Sequence, residues 1–468
     1  MKHTPLSLIA HWAGGEMHGD DVMIDAVSND TRTLATGSLY VALRGERFDG
    51  HDFASDALMR GASGLLVERL LPEIELPQVL VADAELALAR MAAGMQRGRG
   101  TRVFAITGSN GKTSVKSLLL AILQQVQDLD GLRVYATPGN RNNEIGLPLA
   151  VIAAPDDADF AVYEMGAGKP GDIAYLTEIA RPDFALVNNI APAHLERMGS
   201  LLGVAQTKGA IYAALPGDGV AVINADDAFA PWFEQAIVRP GSTGRQVLRF
   251  GLEASAEVRA HAIATAPQGS AFTLVTPQGE VVVTLHLPGR HNIRNALAAA
   301  ALALGAGIGL ERIAEGLAQA RPVAGRQIAH VLPGGAVLID DSYNANPGSL
   351  DAAIDALAGP GEGWLVLGDM RELGPEGAAL HAAAGRRARE AKLARLYALG
   401  ELSAHAAQAF GERGRVFASH AELAAALQAD INNATAPLRV LVKGSRGSAM
   451  DRIVTALLAH GEEAPNAA

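Results

Sequence analysis

Hydrophobic and polar positions change period along the chain and divide it into three parts. Up to residue 83, short apolar runs at Ser38 to Leu43, Gly64 to Val67 and Gln78 to Val81 are separated by turn residues at Thr36-Gly37, Asp49-Gly50 and Leu71-Pro72. Such punctuation predicts a small α/β module. The Ala-rich stretch Ala84 to Arg97 reads as a helix and leads into Arg97-Gly-Arg-Gly100, a composition suited to a connection.

From Arg102 onward, apolar runs that end in polar residues alternate with helical segments: Val103 to Thr107, Phe160 to Glu164, Phe184 to Asn189 and Val220 to Asn224. This alternation predicts a mostly parallel sheet covered by helices, with ligands at the carboxyl ends of the strands. Residues 247–287 alternate in hairpin fashion around Pro277-Gln-Gly279 and predict an antiparallel flank. The run Ala296 to Leu310 has 15 residues and three glycines. It falls short of the roughly 20 residues of a membrane span and reads as a buried helix, so no membrane insertion is expected. A second strand and helix series follows at Ala336 to Asp340, Trp364 to Leu367, Arg395 to Leu399 and Leu438 to Val442.

The fold class expected is therefore α/β in three domains: a small α/β module over 1–83, a central P-loop-type parallel-sheet domain over 84–320, and a C-terminal Rossmann-like domain over 321–468. The last dozen residues, including Glu462 to Pro465, read as a frayed tail. A length of 468 residues agrees with about three domains, and 49% hydrophobic residues mark a globular chain, not a disordered one. The absence of cysteine removes disulfides, thiolate metal sites and cysteine nucleophiles. The apolar stretch Leu6 to Ala10 is cut off by His11 and is too short for a signal-peptide core, so a cytoplasmic location is expected. A formal charge of −11 argues against a general nucleic-acid surface. Any anionic ligand must be held by local devices.

One such device is Thr107-Gly-Ser-Asn-Gly-Lys-Thr-Ser114, placed between a predicted strand and a segment with Val115, Leu118, Leu119, Ile122 and Leu123 on one helical face. Strand, glycine loop and helix N-terminus form a phosphate cradle. Gly108 and Gly111 allow the backbone N–H groups of Ser109, Asn110 and their neighbours to turn toward phosphate. Lys112 can reach the β and γ phosphates, and the Thr113 hydroxyl can ligate Mg²⁺. Two residues separate the glycines, where the usual P-loop has four.

Elsewhere the residues alone leave alternatives open. Glu164, at the end of an apolar strand, is either an acidic Mg²⁺ ligand or a solvated carboxylate. His194 and Lys208 taken singly read as a structural histidine and a solvated lysine. Asn292 and Asn295, three apart, could read an adenine edge, or Asn292 could cap a helix. Polar clusters at Asp341 to Pro347, Gly368 to Gly374 and Lys443 to Arg446 follow strands and are either ligand loops or plain connections.

Together these residues resemble the Mur ligase family across nearly the whole chain. The resemblance adds Gly139-Asn-Arg-Asn-Asn-Glu-Ile-Gly146, the segments at Glu164 and His194, Lys208, Gly289-Arg-His-Asn292, Gly325-Arg326 and Asp340-Asp-Ser-Tyr-Asn-Ala-Asn-Pro347. The last of these points to members that add D-alanyl-D-alanine. Ser28-Asn-Asp-Thr-Arg32 and the stretch Val41 to Phe53 are similar to the family's uridine-nucleotide domain. The resemblance implies ATP-driven amide formation between D-alanyl-D-alanine and UDP-N-acetylmuramoyl-tripeptide, through an acyl phosphate, in peptidoglycan synthesis.

It further implies catalytic roles for Lys112, Glu164, His194 and Lys208, two Mg²⁺ ions held by Thr113, Glu164 and His194, and a CO₂-derived carbamate on Lys208. ATP contacts are implied for Gly108 to Ser114, Asn292, Asn295, Arg326 and Asp341. Substrate contacts are implied for Ser28, Asp30, Arg32, Arg44, Gly45, Asp49, His51, Asn140, Asn143, Asn189, Tyr343, Asn344 and Asn346, with Lys443, Ser445 and Arg446 orienting the dipeptide. A monomer is expected. Rival readings are a sister ligase, a folylpolyglutamate synthase and a P-loop switch that makes no amide bond. The uridine-type module and the Asp340 to Pro347 segment speak against them.

Overall fold

Strand Arg102–Thr107 is apolar on both faces: Val103 and Ala105 enter one buried cluster, Phe104 and Ile106 another. A strand so patterned belongs inside a sheet covered on both sides. In the computed structural model, which describes residues 3–462 other than 46, 193, 242–243, 267, 360 and 435–436, it lies within a nine-stranded sheet. The order is Gly279–Leu285, Gly269–Thr276, Val258–Ala266, Gln246–Gly251, Val220–Asn224, Phe184–Val187, Arg102–Thr107, Phe160–Glu164, Val134–Ala136.

Pairing is parallel from Val134–Ala136 as far as Val258–Ala266, and antiparallel only for the last two strands. The antiparallel flank is thus narrower than its alternation suggested, because Gln246–Gly251 pairs parallel with both neighbours. Helix Lys112–Asp130 buries Val115, Leu118, Leu119, Ile122 and Leu123, the predicted face. The Ala-rich segment is the buried helix Arg290–Gly305. Helix Leu310–Gln319 packs on Lys112–Asp130 so closely that a Cβ on Gly316 would lie 2.3 Å from Ile122 Cα.

A five-stranded sheet holds the N-terminal part, in the order Glu16–His18, Gln78–Leu80, Gly64–Val67, Ser38–Val41, Ala26–Ser28. Helix Ala84–Arg97 spans the predicted residues, capped by Asp83 accepting from Leu86 N–H. It packs against both Leu6–Ala13 and Gly146–Ala153, joining the first sheet to the second by one apolar cluster.

The C-terminal sheet has six strands, Ile328–Val331, Val337–Asp341, Leu438–Lys443, Glu362–Gly368, Arg395–Leu399 and Gly414–Phe417. All pairs but the first are parallel. Trp364 and Val366 face one cluster, Leu365 and Leu367 the other. Two edge strands here and Val134–Ala136 carry no clear period and were not predicted. Helix Asp451–Glu462 occupies part of the segment read as a tail, and residues 463–468 lie outside the described residues. Among the described residues no helix is long and apolar enough to cross a membrane.

Candidate active site

The glycine loop follows strand Arg102–Thr107 and opens helix Lys112–Asp130. Gly108 and Gly111 have φ of +147° and +79°. A Cβ at 111 would lie 2.4 Å from Asn188 Nδ2 and 2.7 Å from Asn295 Oδ1, so only glycine fits. The neighbouring strand end fixes the loop from outside. Ser109 N–H donates to Asn189 O, and Asn110 N–H to Asn189 Oδ1, each at 2.9 Å. Asn188 Nδ2 donates to Asn110 O at 3.0 Å and to Asn295 Oδ1 at 3.1 Å.

Thr113 Oγ1 donates to Glu164 Oε2 at 2.8 Å, and Asn142 Nδ2 donates to Glu164 Oε1 at 2.9 Å. Lys116 Nζ lies 3.6 Å from Glu164 Oε2 and also donates to the carbonyls of Thr137 and Gly139. Glu164 is 2% exposed, so the reading as a solvated carboxylate fails. Burial alone would push its carboxyl up, but Lys112, Lys116 and the two hydrogen bonds outweigh it and hold it below the usual range. Desolvation draws the Lys112 ammonium down, although Glu164 opposes the shift. Lys112 Nζ donates to Gly108 O at 2.8 Å.

Lys208, on helix Leu201–Ala213, is 2% exposed, which overturns its reading as a solvated lysine. Burial first, then Lys112, holds its amine well below the ordinary lysine range. Its ammonium has no hydrogen bond or ion pair among the described residues. His194 has φ +52° and pairs through Nδ1 with Glu372 Oε2 at 2.5 Å. Ala193, its neighbour in the motif, lies outside the described residues.

Three contacts bring the C-terminal part onto the glycine loop and the His194 loop. Arg326 donates to Thr113 Oγ1 at 2.8 Å, Asn346 Nδ2 donates to Asn110 Oδ1 at 2.7 Å, and Glu372 meets His194. Between them lies a cleft of about 740 Å³ lined by the glycine loop, Asn140, Asn143, Glu164, Asn189, His194, Lys208, Asn292, Asn295, Arg326, Asp341, Tyr343, Asn344 and Asn346. Asn292 does not cap its helix: the N-cap is Gly289, and Asn292 Nδ2 bonds back to Pro288 O.

Some predicted residues are already engaged by other groups of the protein. Lys443 also lines the cleft, but it is buried with Nζ 2.5 Å from Asp341 Oδ2, so its charge is already matched. Ser445 is buried and staples loops, accepting from Arg371 N–H and donating to Ala345 O. Arg446 opens a 3-10 turn, the helix starting only at Asp451, and its guanidinium lies 5.6 Å from the Tyr343 ring centre.

Ser28, Asp30, Arg32, Arg44, Gly45, Asp49 and His51 stand apart in the N-terminal sheet's loops. Asp30 grips Arg32 with both oxygens, and Ser28 donates to Asp30 O. Both ring nitrogens of buried His51 are used, by Asp49 and by Glu68 N–H. His51 therefore shapes its loop and presents no ring atom to a ligand. Lys116, Asn142 and Glu372 were not singled out from sequence. Lys116 could have been, one turn beyond Lys112 on the same face.

Family comparison agrees with this geometry. Residues 106–303 match the Mur ligase middle domain, 326–446 the Mur ligase glutamate ligase domain, and 23–95 the Mur ligase family catalytic domain. The chain is 45% identical to UDP-N-acetylmuramoyl-tripeptide--D-alanyl-D-alanine ligase of Escherichia coli (strain K12), over 98% of this chain and 100% of that protein. It superposes on a crystal structure of MurF from Acinetobacter baumannii with a TM-score of 0.90 and 32% identity, covering 98% of this chain and 100% of that one. MurF ligase from Thermotoga maritima in complex with ADP gives 0.81 and 26%, covering 94% and 98%.

Proposed function

The chain belongs to the Mur ligase family, and from that premise we infer that it joins D-alanyl-D-alanine to UDP-N-acetylmuramoyl-tripeptide in the cleft between its central and C-terminal sheets. It is an amide-forming, ATP-using ligase of peptidoglycan synthesis. The observation that carries the reading is the hydrogen bond from Asn346 to Asn110, which sets the Asp340 to Pro347 segment directly on the nucleotide loop.

The expected sequence is attack of the tripeptide carboxylate on the γ phosphate, then attack of the dipeptide amine on the acyl phosphate, with phosphate leaving. The N–H groups of Ser109 and Asn110 are turned to Asn189, so those at the start of helix Lys112–Asp130, with the Lys112 side chain, would hold the phosphates, and Arg326, reaching the same turn, would add positive charge where the phosphoryl group transfers. Asn295 and Asp341 are proposed to hold the nucleoside end. Closure of the C-terminal sheet over the loop would keep water from the acyl phosphate. Tyr343 and Asn344 are proposed to bound the dipeptide side, and the loops at Ser28 to Arg32 and Arg44 to His51 to form the uridine end.

The donor set suits Mg²⁺. Thr113 and the ionised Glu164 offer adjacent oxygens, and this cation is commonly held by one or two carboxylates plus substrate phosphates. When bound it would neutralise charge on the phosphates. His194 is the candidate for a second ion. The buried, low-affinity-for-proton amine of Lys208 is suited to react with CO₂, and a carbamate there would replace a cation by an oxygen donor. A monomer in the cytoplasm, where ATP is made, completes the proposal.

Phosphate release should be measured with Mg²⁺, ATP and UDP-N-acetylmuramoyl-tripeptide, with and without D-alanyl-D-alanine, while product mass is followed. Dipeptide-dependent release with the pentapeptide mass is expected. Release with a single amino acid instead would point to a sister ligase.

A further inference from the structure

The pairing of His194 with Glu372 joins two loops that belong to different sheets. His194 follows strand Phe184–Val187, and Glu372 follows strand Glu362–Gly368. Both residues are non-glycine with positive φ, +52° and +62°. Such backbone is strained and persists only where the surroundings impose it.

The surroundings of Glu372 do impose it. Met370 N–H donates to Nε2 of the fully buried His381, and Arg371 N–H donates to Ser445 Oγ. Asp369 accepts from Ser403 N–H through its side chain and from Ser445 N–H and Ser448 Oγ through its carbonyl. The three residues before Glu372 are thus pinned one after another, so its backbone is held in place beside the His194 loop. Beyond it, Gly374 closes on the His194 loop, where an added Cβ would meet Glu196 Cβ at 3.4 Å.

We propose that Glu372 is a positioning residue: it accepts from His194 Nδ1–H, fixes the ring with Nε2 as the ligand nitrogen, and makes that placement conditional on docking of the C-terminal sheet. The proposal rests on the reading of His194 as part of the acyl-transfer site. A carboxylate on the far nitrogen is the ordinary means of orienting a ligand imidazole. Here that carboxylate comes from the domain that carries the Tyr343 to Asn346 loop. The site is then complete only when both sheets have met, which ties activation of the carboxylate to a closed cleft.

Ring ¹⁵N shifts of His194 should be recorded in the free wild-type protein, Glu372→Ala and Glu372→Gln, and kcat and KM measured for each, with His194→Ala and the double variant His194→Ala/Glu372→Ala. Wild type is expected to show a protonated Nδ1, and Glu372→Ala to lose that signature. Its kcat should fall about 10- to 100-fold with KM for ATP nearly unchanged. Glu372→Gln, which keeps an acceptor, should retain most activity, and the double variant should be no slower than His194→Ala. Unchanged ring shifts or an unchanged kcat in Glu372→Ala overturns the proposal, as does Glu372→Gln losing as much as Glu372→Ala. A wild type that makes no pentapeptide would refute the proposed function, and the ring shifts would still decide the role of Glu372.

Discussion

Thr113 Oγ1 donates to Glu164 Oε2 at 2.8 Å, tying the first turn of the cradle helix to the end of the adjacent strand. The acceptor is ionised, and Lys112, Lys116 and the hydrogen bonds from Thr113 and Asn142 keep it so against burial. Glu164→Gln keeps the shape and removes the charge. Turnover in the phosphate-release assay at saturating Mg²⁺ should fall by roughly 10²- to 10³-fold, the scale of losing one preorganised electrostatic partner. A rate like that of wild type would remove Glu164 from the metal site.

Lys208 is a buried amine whose proton affinity is lowered by burial and by Lys112, with Asp172 opposing only in part, and it has no ion pair among the described residues. Lys208→Ala should lose activity by about 100-fold, in the range for losing a group that organises a metal site. Added formate or acetate should restore part of it by supplying an oxygen donor to the vacated space. Full activity without rescue would end the carbamate account, and a mass increment of one CO₂ on wild type would support it directly.

The parts of this site that follow from local pattern were readable in the sequence. The Ala84–Arg97 helix and the Phe160–Glu164, Val220–Asn224 and Arg395–Leu399 strands are bounded by residues whose chemistry ends an element, and the apolar face of Lys112–Asp130 repeats at helical spacing. What local pattern cannot carry is which loops meet. Glu372 on His194, Asn346 on Asn110 and Arg326 on Thr113 are pairs far apart in sequence, brought together by how two sheets dock. For the same reason Lys443 looked available to a carboxylate until the parallel pairing of its strand with Val337–Asp341 set it against Asp341.

Gly111 offers a test of the cradle itself. Alanine there would be strained by φ +79° and would lie 2.4 Å from Asn188 Nδ2. The left-handed conformation alone costs about 1–2 kcal/mol, and relief of the clash would push the loop off Asn188. Gly111→Ala should therefore weaken ADP binding by at least tenfold in calorimetry, while the thermal midpoint moves by only a few degrees. Unaltered ADP affinity would mean that the loop does not enclose the phosphates.

Asp49 ties the N-terminal loop together by charge, so its effect should depend on pH. Burial would raise its carboxyl, but hydrogen bonds from the His51 backbone and ring and the charge of Arg69 bring it down to about 2 from 3.8. A carboxyl held lower in the folded state binds fewer protons there than in the unfolded chain. Its contribution is complete above pH 4 and is lost as pH falls through the folded value near 2. The gap in urea midpoint between wild type and Asp49→Asn should therefore be constant above about pH 4 and narrow below it. Because the same loop is the proposed uridine end, Asp49→Asn should also raise KM for the UDP substrate severalfold at neutral pH, with KM for ATP unmoved. A stability gap that ignores pH would show that shape, and not charge, is what Asp49 supplies.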